Sequence, residues 1–221
     1  MATRPIFVPS GGMDLVTRVD VEFVWAPGMA PSQKKKNVLA LHRAAADRGL
    51  SPLLEISSKS GSEVGRRLSA FSLQVQLPDG KSTSLESAFQ GSKVFRDGGP
   101  YTDLYAASPR DAKRDARLKE SGPLVEFRLQ DVCSPLTPKT LFYDWLYIRA
   151  LVQHEDYLKR LRDYAGFTDI EFNPQKSINC QARACAALVS LSMLGLLQEA
   201  AVSPQSLAVI ADREAPLDTL F

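Results

Sequence analysis

The sequence is poor in the residues that build metal centres and disulfide frameworks. Among its 221 residues there are three cysteines and two histidines. Cys180 and Cys185 are five positions apart, a spacing that does not place two side chains on one face of a helix. His42 and His154 stand in none of the short Cys/His spacings that hold zinc. We therefore expect no disulfide framework, no metal and no other cofactor.

The sequence also lacks a long apolar run. Its longest apolar stretch, from Ala184 to Leu197, contains two serines and a glycine. It is shorter than the roughly 20 residues needed to cross a bilayer, so we expect a buried core helix. The first residues contain neither an apolar signal core nor a small-residue cleavage site. We therefore expect a cytoplasmic protein with no membrane partner.

Several motifs of nucleotide-binding and hydrolytic enzymes are missing from the sequence. It contains no Gly-x-Gly-x-x-Gly, no phosphate loop ending in Gly-Lys-Ser/Thr, no His-Glu-x-x-His and no Gly-x-Ser-x-Gly. A formal charge of +2 is too small to indicate a nucleic-acid partner unless the cations are clustered. The hydrophobic content of 44% is ordinary for a globular protein. Composition alone therefore leaves the function open.

Hydrophobic periodicity predicts an α+β fold that is mostly helical with a small β-sheet. Strands are predicted at 4–8, 19–25, 53–57, 73–77 and 123–129, with a short extended segment at 167–172. A turn at 78–80 is expected to close a hairpin. Helices are predicted at 32–48, 85–95, from Ser108-Pro109, at 138–164 with a bend near 154–156, at 177–197 and at 203–211. No repeated βα rhythm is present.

The predicted helix from Leu85 to Phe95 carries a polar face. Glu86, Gln90 and Lys93 are spaced i, i+4, i+7 and share one side of a helix, which would suit the lining of a cleft. Thr83 and Glu86 also fit a capping box. From the spacing alone, a capping glutamate with two solvated neighbours is the simpler interpretation.

Two further basic features are open to two interpretations each. Lys59 follows a predicted strand among serines and glycines, where it would reach a pocket or stay in an exposed loop. A second feature is a run of cations spaced i, i+3, i+4, i+7, which suits either phosphate contacts or a solvated, self-paired helix face. This run comprises Arg110, Lys113, Arg114 and Arg117.

Taken in order, these segments resemble the NADAR family. That family has a strand ending in small polar residues, a Ser-Asn-Phe-like stretch, and Ser-x-Glu-x-x-x-Gln-x-x-Lys-x-Phe. The matching segments are Ser57 to Ser60, Leu68 to Phe71, and Ser84-Leu-Glu-Ser-Ala-Phe-Gln-Gly-Ser-Lys-Val-Phe95. Downstream, Ser108-Pro-Arg-Asp-Ala resembles the family's Ser-Pro-x-x-Ala, and Asn179 resembles the asparagine that opens a helix there. The resemblance runs from about Glu55 to Leu197.

Two longer strings are similar to the NADAR branch that accompanies DarT-type DNA ADP-ribosyltransferase toxins. They are Gln90 to Asp103 and Phe167 to Arg183. The sequence departs from the family at Ser87, where many members have histidine, and at Ile170 to Asn173, which replace a Trp-Gly-Asp stretch. The resemblance implies a single NADAR-like domain over residues 1–221. Residues 1–50 would be specific to the branch and residues 51–200 would form the catalytic core.

The resemblance also implies an activity. NADAR enzymes cleave the bond between a base nitrogen and the anomeric carbon of ribose. In this branch the substrate is ADP-ribose on guanine in DNA, ADP-ribose is the product, and a cognate DarT-type toxin is a possible partner. Two alternatives remain open: an N-glycosidase for a ribosylated metabolite such as a riboflavin-pathway intermediate, and a non-catalytic immunity protein that binds the toxin.

The implied chemistry assigns roles to residues of this sequence. Glu86 would be the carboxylate that stabilises an oxocarbenium-like state. Lys59, or in second place Lys93, would capture the anomeric carbon as a Schiff base. The substrate-binding candidates are Ser58, Phe71, Gln90, Tyr101, Asp103, Arg110, Phe172, Asn173 and Asn179.

Overall fold

A computed structural model describes residues 1–11, 14–28, 30–77 and 79–213. The strands are β1 (Ala2–Pro9), β2 (Val16–Phe23), β3 (Leu53–Glu55), β4 (Gln74–Gln76), β5 (Ser82–Ser84), β6 (Lys93–Phe95), β7 (Leu124–Leu129), β8 (Val132–Ser134) and β9 (Gly166–Thr168). The larger helices are α1 (Pro31–Ala46), α6 (Leu141–Leu151), α8 (Gln181–Met193) and α10 (Pro204–Arg213). The shorter ones are α2 (Glu63–Arg67), α3 (Leu85–Gly91), α4 (Pro109–Arg114), α5 (Arg117–Glu120), α7 (Glu155–Leu161) and α9 (Leu197–Val202), with a 3₁₀ helix at Thr102–Ala106. The predicted α+β class is confirmed.

The largest sheet has the strand order β2-β1-β9-β3. β1 and β2 form an antiparallel pair, whereas β3 and β9 run parallel with Leu54 opposite Phe167. The carboxyl ends of parallel strands lie at one edge of a sheet, so the residues after Glu55 and those after Thr168 leave the sheet side by side. This edge forms part of the site described below.

The main core surrounds α6 and α8. Trp145, Leu146, Tyr147 and Ile148 on successive positions of α6 are all inaccessible to solvent, so this helix is buried on every side. The alanine-rich α8 packs beside it and is a core helix. It is shorter than the predicted helix at 177–197, because it ends at Met193 and Leu197 begins α9. Among the described residues, no helix is long and apolar enough to span a membrane.

The predicted helix from Leu85 to Phe95 is wrong at its carboxyl end. α3 ends at Gly91, and Lys93–Phe95 is a strand paired with β7. A Cβ at Gly91 would lie 2.6 Å from the Tyr105 ring and 2.9 Å from the Tyr101 carbonyl oxygen. A residue with a Cβ would clash with Tyr105 and Tyr101 at this position, so the close backbone approach there requires glycine.

The predicted capping box is also wrong. The N-cap of α3 is Ser84, whose Oγ accepts a hydrogen bond from the Ser87 backbone N–H at 3.0 Å. The Thr83 hydroxyl instead donates to the Tyr105 carbonyl oxygen at 2.6 Å. Because Glu86 is not used as a cap, its carboxylate is available for other contacts.

Other boundaries differ from those predicted. The segment 138–164 forms two helices, α6 and α7, which are separated close to the predicted bend. The extended segment at 167–172 keeps strand geometry only to Thr168, and the chain then turns, with the Phe172 N–H bonded to the Asp169 carbonyl oxygen. α8 starts at Gln181, so Asn179 precedes the helix instead of opening it. The β4–β5 hairpin is confirmed, although Pro78 of its turn lies outside the described residues.

Candidate active site

A cavity of about 1070 Å³ opens where the parallel strand ends meet α3. Its lining includes residues 57–58 after β3, residues 69–71 after α2, and Asp169 with residues 171–179 after β9. α3, the start of β6 and Tyr143 of α6 supply further lining. Segments that are distant in the sequence therefore surround one space.

The polar face predicted from the sequence lies in this cavity. The Lys93 ammonium donates to Gln90 Oε1 at 2.7 Å, and Gln90 Nε2 donates to Glu86 Oε1 at 2.9 Å. Glu86 and Gln90 are buried, and the Lys113 ammonium lies 3.5 Å from Glu86 Oε1. The three predicted residues thus form one hydrogen-bonded row, although Lys93 belongs to β6 and not to the helix.

Lys93 is a partly buried lysine whose pKa is shifted downward. Its ammonium lies 4.9 Å from the centre of the Phe89 ring. Burial lowers the pKa of Lys93, the charge of Glu86 opposes that shift, and Lys113 adds to it. A lysine of this kind releases its proton more readily than an exposed one and so becomes a better nucleophile.

The cavity contains a second buried carboxyl group, Asp169, which sequence reasoning missed. Its Oδ1 accepts hydrogen bonds from the backbone N–H groups of Glu171 at 3.0 Å and Phe172 at 3.2 Å. Burial, with the nearby charge of Glu55, raises the pKa of Asp169 to about 8. Asp169 therefore keeps its proton at neutral pH. The only signal in the sequence was an acidic residue directly after an apolar strand.

The apolar part of the lining is aromatic. Phe89 stacks on Phe127 with ring centres 5.3 Å apart and meets Tyr143 edge-on at 5.1 Å. Burial raises the pKa of Tyr143 far above 10, so its hydroxyl stays protonated. Phe71 is 40% exposed at the mouth, with the Lys113 ammonium 5.5 Å from its ring centre. An exposed ring at the mouth of a cavity is suited to stacking on a base.

Residues 172–179 bring the remaining predicted contacts to the cavity. Asn179 Oδ1 is buried and has no hydrogen-bond partner among the described residues, so a ligand donor would satisfy it. Asn173 Oδ1 accepts from the Gln175 backbone N–H at 3.0 Å, and Phe172 packs edge-on against Phe7. Ser58, after β3, also lines the cavity and is exposed.

Four predicted residues do not line the cavity: Lys59, Tyr101, Asp103 and Arg110. Arg117 binds Asp103 in an ion pair at 2.7 Å and stacks on the Tyr101 ring at 4.4 Å. The Tyr101 hydroxyl is hydrogen-bonded to Ser121. Arg110 is exposed on α4, and Lys59 is half-buried with its backbone N–H bonded to Ser57 Oγ at 3.1 Å.

The basic run predicted from 110 to 117 does not form one stripe. α4 ends at Arg114, and Arg117 is held by both Asp103 and Asp115. Of these cations, Lys113 alone lines the cavity, and Lys139 and Lys176 join it there. At the edge of the same cavity, Lys34 of α1 lies 3.3 Å from Glu171. Within the described ranges, no group of three or more His, Cys, Asp or Glu side chains is arranged to hold a metal ion.

Comparison with known protein families identifies a match over almost the whole chain. A family model described as "DarT1-associated NADAR antitoxin" matches residues 2–217, which is nearly the whole chain and includes every residue of the cavity. No curated protein matches the sequence.

Proposed function

The chain belongs to the DarT1-associated NADAR antitoxins, and we propose that it removes ADP-ribose from guanine bases in DNA. The reaction cleaves the N-glycosidic bond between the base nitrogen and C1 of the ribose, restores the guanine and releases ADP-ribose. In this role the protein reverses the damage done by a DarT-type toxin.

The observation that carries this proposal is the pair of unlike carboxyl groups in one cavity. Glu86 accepts from the Gln90 amide and lies beside the Lys113 ammonium, and both partners stabilise a carboxylate. Asp169 is protonated at neutral pH because burial raises its pKa. Glycosidic cleavage needs one carboxylate and one acid, and two carboxyl groups in unlike surroundings can supply both.

The two groups divide the reaction as follows. Asp169 donates its proton to the leaving guanine nitrogen while the bond to C1 breaks, and the Glu86 carboxylate stabilises the positive charge that develops on the ribose. Glu86 then takes a proton from the water that attacks C1. The products are guanine and ADP-ribose, and exchange with solvent moves one proton from Glu86 back to Asp169.

A covalent route would use a lysine in place of the attacking water. Lys93 is better placed for this than Lys59, because it lines the cavity and burial lowers its pKa. Its amine would bond to C1 as the bond from C1 to the guanine nitrogen breaks, and Asp169 would protonate the leaving guanine. Loss of the amine proton and opening of the ribose ring would then give an imine, which water would hydrolyse to ADP-ribose and free amine. Borohydride, which reduces an imine to a stable amine, distinguishes the two routes.

The cavity suits a large anionic ligand. A volume of about 1070 Å³ lies at the upper end of the range for small-molecule sites, about 300 to 1,000 Å³. Lys113, Lys139 and Lys176 bring positive charge to its walls, which favours a pyrophosphate and the phosphates of DNA. Phe71 offers a ring for a base at the mouth.

The experiment compares substrates side by side. Purified protein is given an oligonucleotide with ADP-ribosylated guanine and, separately, small ribosylated metabolites, and released products are quantified by chromatography. We expect ADP-ribose from the oligonucleotide, with loss of turnover in Glu86→Gln and retention in Glu171→Gln, a cavity-lining glutamate outside the proposed chemistry. Turnover of the metabolites with none of DNA would contradict the proposal in favour of a metabolic N-glycosidase.

A further inference from the structure

Glu55 is a buried carboxyl group that the proposed reaction does not use. It is the last residue of β3 and is 2% exposed. Its Oε1 accepts from the Ser57 hydroxyl at 2.6 Å and from the Ile170 backbone N–H at 2.8 Å. Its Oε2 accepts from the Thr168 hydroxyl at 2.7 Å. Three donors, one from the segment after β3 and two from the end of β9 and the residues that follow it, therefore meet on one side chain.

These bonds connect the two segments that leave the parallel strands. Ser57 begins the segment that carries Ser58 into the cavity lining, and Ser57 Oγ also accepts from the Lys59 backbone N–H. Thr168 and Ile170 flank Asp169 directly. A shift of Glu55 would therefore move Asp169 and the Ser57–Ser58 side of the cavity together.

We propose that Glu55 is a positioning residue: its ionised carboxylate fastens the segment after β9 to the end of β3 and keeps the proton of the Glu55–Asp169 pair on Asp169. The inference rests on the proposed function in one respect, that Asp169 is the acid of the reaction.

The donors around Glu55 favour its ionised form. An ionised Glu55 accepts the one proton of the Thr168 hydroxyl in a hydrogen bond, and the 2.8 Å contact between His42 Nε2 and Thr168 Oγ1 is then donated by His42. Burial lowers the pKa of His42 to about 4, so the ring is neutral and can carry its proton on Nε2. A chain of donors from His42 through Thr168 thus ends on Glu55.

Asp169 has a different set of partners. Burial raises the pKa of both carboxyl groups, and the charge of Glu171 adds to the effect on each. Glu55 accepts two hydroxyl bonds and one N–H bond on its two oxygens, whereas Asp169 accepts two backbone N–H bonds on Oδ1 and a side-chain bond from the Gln181 amide. Two buried carboxylates side by side repel each other, so one keeps its proton. We assign the charge to Glu55, because hydroxyl and N–H donors reach both of its oxygens.

The other titratable groups near the pair do not supply a cation. Burial raises the pKa of Tyr143 on α6 and of Cys180 before α8, which keeps both neutral. Lys34 of α1 is bound to Glu171, and neither carboxyl group forms an ion pair with a described residue. Gln181 of α8 contacts Asp169 through its amide, which carries no charge.

Glu55→Gln tests the proposal without removing the contacts. The amide oxygen of the new glutamine still accepts from the Ser57 hydroxyl and the Ile170 N–H. Its Nε2 donates to the Thr168 hydroxyl. That hydroxyl can then donate to Nε2 of His42, provided that His42 carries its proton on Nδ1. The negative charge of Glu55 is lost, so the ionised form of Asp169 is no longer repelled by it. The pKa of Asp169 therefore falls. We expect the alkaline limb of the pH profile of kcat/KM to move down by about 1 pH unit or more.

Glu171→Gln is the matched control. It removes one charge from an exposed side chain in the same segment, so solvent screening leaves a much smaller shift. The inference would be overturned if Glu55→Gln folds and cleaves modified DNA but the alkaline limb of its pH profile stays in place. The proposed function would remain intact in that case.

A measurement on the unaltered protein covers the case in which the variant does not fold. Carboxyl ¹³C NMR of protein labelled selectively in glutamate or in aspartate follows each group during a pH titration. We expect Glu55 ionised and Asp169 protonated at pH 7. The reverse assignment would refute the inference, and this readout does not depend on whether the protein cleaves ADP-ribosylated DNA.

Discussion

Replacement of Asp169 by asparagine separates general-acid catalysis from every other role of this residue. The amide oxygen can keep the hydrogen bonds from the Glu171 and Phe172 N–H groups, and asparagine is neutral, as protonated Asp169 is. The fold and the shape of the cavity should therefore survive the change. What the variant lacks is the proton for the leaving guanine.

The size of the effect follows from that loss. A general acid contributes about 10²- to 10⁴-fold to rate, or about 2.7 to 5.4 kcal/mol of transition-state stabilisation. With the pKa of Asp169 raised to about 8, about nine-tenths of the protein holds the proton at pH 7 and about one-hundredth does at pH 10. Activity of the unaltered protein should thus fall about tenfold per pH unit above 8, whereas the asparagine variant should show no such fall.

Single-turnover cleavage of a modified oligonucleotide, followed by chromatography from pH 6 to pH 10, provides the assay. Thermal unfolding of both proteins serves as the control, with similar midpoints expected. An asparagine variant with activity within about threefold of normal and an unchanged alkaline limb would show that Asp169 is not the acid. The proton would then have to come from another group, such as the Tyr143 hydroxyl.

Three further predictions test the remaining parts of the account. If an imine forms, borohydride added during turnover should trap an ADP-ribose adduct on Lys93, and Lys93→Arg should abolish it, since guanidinium is no nucleophile. An adduct on Lys59 would assign the role of nucleophile to that residue. The absence of any adduct would favour direct attack by water. Strong chelator should leave activity unchanged, because no proposed step uses a metal; activity that returns only with an added divalent ion would contradict this. Gly91→Ala should destabilise the fold by about 1 to 3 kcal/mol in denaturant unfolding, since its Cβ would meet the Tyr105 ring at 2.6 Å; unchanged stability would show that the ring moves freely.

Local patterns were sufficient to predict part of this site. The spacing of Glu86, Gln90 and Lys93 predicted a shared face, and the side chains do form one row. The three side chains form one row although Lys93 is in a strand. The reason is that α3 ends at Gly91 and β6 begins at Lys93, directly after the last turn of α3. Family resemblance then marked this face as functional, which the spacing alone did not.

Residues that act through tertiary contacts were not predictable in this way. The cavity position of Asp169 depends on the parallel pairing of β3 with β9, which are more than 100 positions apart in the sequence. Tyr101 and Asp103 lie in a string typical of the family branch, yet Arg117 holds both of them outside the cavity. Lys59 was selected for its place at a strand end among serines and glycines that leave room for a ligand. Its position relative to the cavity depends on where that strand ends, which sequence patterns locate only approximately.

The central claim, that the protein protects a cell by catalysis, is tested most directly by measuring ADP-ribosylated guanine in chromosomal DNA. Cells that express a DarT-type toxin are given either the unaltered protein or Glu86→Gln at equal abundance, and the adduct is quantified by mass spectrometry. The account predicts that the unaltered protein removes the adduct and that Glu86→Gln leaves it in place. Equally low adduct levels with the two proteins would contradict the account, because protection would then come from binding the toxin or from a reaction that does not use Glu86.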